Sequence, residues 1–82
     1  MGEFENKPLS KIQSQAVQYL MSLPEMSGVP FHIFACFVRN IEVDNVARKH
    51  LHSVDYVRDV YLDMRSAIRK NRPDLSRKLN IN

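Results

Sequence analysis

The side chains best suited to chemistry are His32, Cys36, His50 and His52. His32 and Cys36 are four residues apart, so a helix would put both on one face, an acceptable arrangement for two zinc ligands. His50 and His52 alternate around the end of a helical stretch and share no focus with the other two. The expected arrangement is therefore a buried thiol beside surface imidazoles, since an unactivated cysteine packs as a small apolar residue. No metal ion and no cofactor are expected. Catalytic motifs are absent as well: the chain has no nucleophile-elbow or metalloprotease spacing, and its two glycines cannot build a phosphate-cradling loop. Enzymatic activity is not expected.

A second pattern points to nucleic acid. Val46 and Ala47 form an apolar pair, Ser53 follows six residues after Ala47 at a capping position, and Val57 follows ten after it at an inward position. The run Val46-Ala47-Arg48-Lys49-His50-Leu51-His52-Ser53, continued to Val57-Arg58, resembles over about twenty residues the helix-turn-helix segment of many bacterial and phage regulators. The resemblance implies a DNA-reading unit. It departs at the turn, where Leu51 replaces the usual glycine and His50 and His52 replace apolar residues. A branched side chain is disfavoured at positive φ, so Leu51 is expected to avoid the left-handed region and the turn to differ from the motif.

Charge locates the contact. Through Asp63 there are six basic and eight acidic residues; beyond it Arg65, Arg69, Lys70, Arg72, Arg77 and Lys78 stand against Asp74 alone. The formal net charge of +3 is thus the sum of a mildly acidic segment and a strongly basic end. A recognition helix meets DNA with its first two turns, and here those turns carry Asp55, Arg58 and Asp59. With Asp63 the aspartates form a stripe at four-residue spacing that opposes phosphate. The candidate DNA contacts are therefore Arg48, Lys49 and Arg58 near the turn and, chiefly, Arg65, Arg69, Lys70, Arg72, Arg77 and Lys78. The candidate protein contacts are Asp55, Asp59, Asp63 and Tyr56. The same charges also suit the helix dipole, aspartates toward the N-terminus and cations toward the C-terminus, without any ligand.

The elements that must position these residues read as helices. Ser10 and Gln13 have capping-box spacing, and Leu9, Ile12, Ala16, Leu20 and Leu23 recur at steps of three and four, predicting a helix over 9–23 that ends before Pro24. A loop follows to Val29. Pro30 suits a first helical position and opens an apolar segment with Phe31, Ile33, Phe34, Ala35, Phe37 and Val38, predicted as a helix over 30–40 and as the centre of the core. Asp44 is the expected N-cap of a short helix over 44–51 through Val46, Ala47 and Leu51. Ser53 caps a helix over 53–71, whose stripe of Val54, Val57, Tyr61, Met64 and Ile68 either packs on the Phe-rich helix or offers a homodimer seam. Pro73 ends it, and residues 73–82 form a tail or one more helical turn.

The chain is 82 residues long, 44% hydrophobic and 26% charged, which suits one globular domain and neither disorder nor a membrane span. Glu3-Phe4 is the dipeptide encoded by a common cloning site, so residues 1–7 are expected to be a flexible N-terminus ahead of a helical domain over 8–72. With no basic and apolar leader, a cytoplasmic location is expected. The expected fold class is all-α, a compact domain of about four helices, with a helix-turn-helix-like unit. The expected function is regulation by macromolecular binding: a small DNA-binding transcriptional regulator or, alternatively, a protein-binding adaptor or inhibitor using the acidic face and exposed aromatics. The partner is thus duplex DNA or a protein, with no membrane, and a homodimer is a further expectation because so small a core gains from being covered by a second copy.

Overall fold

The first helix starts where its cap dictates. Ser10 Oγ accepts from the Gln13 N–H at 3.1 Å and Gln13 Oε1 accepts from the Ser10 N–H at 2.8 Å, closing the capping box. The computed structural model describes residues 7–81; the N-terminal segment 1–6, expected to be flexible, lies outside the described residues, as does Asn82. The protein is all-α. Its helices are α1 (Lys11–Met21), α2 (Phe31–Val38), α3 (Val43–His50), α4 (Val54–Asn71) and α5 (Pro73–Lys78), with a short 3₁₀ turn at Pro24–Met26 in the first connection. Gly28, at φ 89°, supplies the left-handed step that leads from this turn toward α2.

Two start signals differ from expectation. Glu42 rather than Asp44 occupies the N-cap of α3, without a side-chain bond, and Asp44 falls in the first turn, where its charge still suits the dipole. Pro30 is the N-cap residue of α2 rather than its first residue. Ser53 does cap α4, accepting from the Tyr56 N–H at 3.1 Å.

Three helices close in one way. After α2, α3 and α5 the chain makes a Schellman turn, with Ile41 N–H to Cys36 O at 3.0 Å, His52 N–H to Ala47 O at 2.9 Å and Ile81 N–H to Ser76 O at 2.9 Å. The left-handed residues are Asn40 at φ 60°, Leu51 at φ 58° and Asn80 at φ 57°. Asparagine tolerates this region, and leucine does not do so readily. Leu51 therefore adopts the conformation it was expected to avoid. It does so because the Schellman bonds satisfy the last carbonyls of α3, and its side chain, 91% exposed, is not held by the core.

α1 packs on α2, α4 and α5, while α4 also packs on α3 and α5. The core joins Leu20 of α1, Ile33, Phe34 and Val38 of α2, Val46 of α3, and Val57, Met64 and Ile68 of α4, all essentially inaccessible. Phe37 meets Tyr61 edge-on at 5.1 Å between centroids, joining α2 to α4. The Val57, Tyr61, Met64, Ile68 stripe is thus buried within one chain and offers no homodimer seam. The C-terminal segment is part of the core: Leu75, Leu79 and Ile81 are buried, Ser76 Oγ donates to Ile81 O at 2.6 Å, and Asn40 Nδ2 donates to Leu79 O at 2.8 Å. Among the described residues no helix is long and apolar enough to cross a membrane.

Candidate nucleic-acid interface

α3, the connection Leu51 to Ser53 and α4 form one corner, with Val46, Ala47 and Val57 buried inside it. Beside this corner the three histidines converge. His50 stacks on His32 with centroids 3.8 Å apart and planes 10° apart, and His32 Nε2 lies 2.9 Å from His52 Nε2. His52 in turn tilts over Tyr56 at 5.4 Å. This corrects the expectation of separate surface imidazoles: the left-handed Leu51 turns the chain so that His50 and His52 both reach the first turn of α2. The flat imidazole faces supply the contact that apolar residues would otherwise make here. One ring of the Nε2 pair donates and the other accepts, so the contact requires at least one neutral imidazole. Among the described residues no group of three or more His, Cys, Asp or Glu is disposed to hold a metal ion. Cys36 is fully buried in the core.

The basic residues divide into engaged and open groups. Arg48 donates to Asn45 Oδ1 at 2.7 Å, Arg58 pairs with Asp55 at 2.8 Å, and Arg72 pairs with Asp74 at 3.1 Å. The Arg72 hydrogen bond holds the Asp74 carboxyl below the usual carboxylate range, and Asp74 in turn raises Arg72. Lys49 is exposed on the last turn of α3. Arg65, Arg69, Lys70, Arg77 and Lys78 form no ion pair among the described residues. Arg65, Arg69 and Lys70 line a shallow hollow with Leu62 and Ser66. Arg77 and Lys78 are exposed on α5, which follows α4 directly.

The acidic candidates Asp55, Asp59 and Asp63 are all exposed, and Tyr56 is 37% exposed beside them. Leu62, 49% exposed, lies on the same outer side of α4 and escaped sequence reasoning because it falls outside the inward stripe. Phe31, expected in the core, is 56% exposed at the start of α2.

A second concavity of about 320 Å³ lies between the ends of α2 and α5 and the middle of α4, lined by Asn40, Glu42, Tyr61, Arg65 and Asn80 among others. Tyr61 Oη donates to Ile41 O at 2.8 Å on its wall. The Arg65 Nε is shielded from solvent with no hydrogen-bond partner.

No family model, curated protein or solved structure matches this chain.

Proposed function

We propose that the protein is a small non-enzymatic regulator that binds duplex DNA through the basic end formed by α4 and α5, with α3 and α4 as a helix-turn-helix-like unit. The observation that carries this reading is the set of five cations, Arg65, Arg69, Lys70, Arg77 and Lys78, gathered on consecutive helices and forming no ion pair among the described residues. Unpaired cations on a folded surface are the electrostatic footprint of a phosphate contact. The left-handed Leu51, placed where related turns carry glycine, supports the helix-turn-helix-like geometry. The contact centres on the basic end because Asp55 and Asp59 stand exposed on the first turns of α4 and oppose phosphate.

Titration of random duplex DNA against salt tests the proposal. Five phosphate contacts imply a slope of log K against log salt of about −4.5, or a loss of about 500-fold between 50 and 200 mM salt. Reversing Arg77 and Lys78 to Glu lowers the slope by about 2. Absence of binding at low salt overturns the reading. The exposed Asp55, Asp59, Asp63 stripe with Tyr56 favours the second reading, a protein-binding adaptor or inhibitor. D59K separates the two, strengthening DNA binding in the first and weakening a basic protein partner in the second.

A further inference from the structure

The outer face of α4 is divided by charge. Asp55, Asp59 and Asp63 hold its first half, Arg69 and Lys70 hold its last turn, and the exposed Leu62 and Ser66 lie between them. The helix dipole accounts for the ends only, because its effect falls off within the first and last turns. It does not account for Asp59 and Asp63, which lie in the interior of an 18-residue helix. Nor do internal ion pairs: Arg58 neutralises Asp55, whereas Asp59, Asp63, Arg65, Arg69 and Lys70 form none among the described residues.

A face with acid at one end and base at the other is complementary to itself when reversed. We propose that this face is a self-association surface on which a second copy of the chain docks with its α4 antiparallel, about a two-fold axis at the level of Met64 and Arg65. The interface is isologous, so each contact occurs twice. Asp59 of one copy faces Lys70 of the other, and Asp63 lies on the same flank within reach of that lysine. The Leu62 side chain enters the partner's hollow between Ser66 and Arg69, covering apolar surface that a single chain leaves in water. A single pair of helices makes a small interface with exposed charges, so the dimer is weak and salt-sensitive.

The inference shares cations of α4 with the DNA reading, but its test reads self-association in the absence of DNA, whereas reversal of Arg77 and Lys78 tests DNA binding alone. Sedimentation equilibrium at about 0.5 mM protein and about 50 mM salt decides it. Wild type is expected to average well above its monomer mass of 9.6 kDa, and to fall back toward it at about 0.5 M salt. D59K/D63K and R69E/K70E change only exposed side chains, and far-UV circular dichroism establishes that each is folded. Each alone is expected to be monomeric, whereas an equimolar mixture forms a heterodimer, since one outer face is then basic and the other acidic. A monomeric wild type overturns the proposal. So does a dimeric wild type whose charge variants still self-associate or fail to pair with each other.

Discussion

Replacing Leu51 with Gly is expected to stabilise the fold, against the usual direction of leucine substitutions. The left-handed region costs an L-residue about 1 to 2 kcal/mol, and glycine escapes that cost. Against this, glycine gains freedom in the unfolded chain and gives back about 0.5 to 1 kcal/mol. No packing is lost, because the Leu51 side chain is 91% exposed. The net expectation is a gain of about 0.5 to 1 kcal/mol. With a urea m-value of about 1 kcal/mol per molar for so small a domain, the unfolding midpoint rises by about 0.5 to 1 M. L51A is the control: it removes the same side chain but keeps the cost of positive φ, so its midpoint stays near wild type. L51N is expected to fall between them, since Asn40 and Asn80 fill the equivalent position after α2 and α5. Equal midpoints for L51G and L51A would refute the reasoning and mean that residue 51 is not held left-handed in solution.

Two further expectations follow from single side chains. Burial, with a smaller contribution from Cys36, pushes the Tyr61 phenol well above the usual tyrosine range. Above pH about 10 the unfolded chain therefore releases a proton that the folded chain keeps, and stability falls by up to about 1.4 kcal/mol per pH unit. Y61F loses the bond to Ile41 O, worth about 1 kcal/mol, but its stability should decline less steeply in urea titrations between pH 9 and 11.5. Parallel declines would show that Tyr61 ionises while folded. S53A removes the cap on the Tyr56 N–H and should cost about 1 kcal/mol, with faster amide exchange in the first turn of α4. Unchanged exchange there would mean that the cap does not hold the helix start.

The helices were legible wherever a cap and a periodic stripe agreed. Ser10 with Gln13 and Ser53 with the Val57 to Ile68 stripe point to their elements unaided, because both signals are local. Errors arose where tertiary packing chose among local options. Leu51 looks like a poor left-handed residue; the chain uses it left-handed because closing α3 against α4 settles its backbone. The convergence of His50 and His52 on His32 depends on that turn and could not be read from their spacing. Leu75, Leu79 and Ile81 carry a core signal too short to separate from a tail, and only the tertiary contacts of this segment with α4 and α1 decide it.

The charge asymmetry was legible in full, but its meaning depends on which side of α4 faces water. Inward burial of Val57, Tyr61, Met64 and Ile68 commits the apolar stripe to the core, and this removes the seam on which a homodimer was first expected. It also leaves Asp59, Asp63, Arg69 and Lys70 outside on the opposite face. The acidic stripe then opposes phosphate in a lone copy and is matched by arginine and lysine in a reversed pair. Antiparallel docking would bury the repulsive carboxylates against the basic last turn, Arg69 and Lys70, while Arg77 and Lys78 remain on α5. Dimer formation and DNA binding are then coupled through α4, and the sign of the coupling depends on the same residues. Docking removes the aspartates that repel DNA and also occupies two of the cations that attract it. If the aspartates dominate, affinity for DNA rises with protein concentration at fixed low salt; if the cations dominate, it falls.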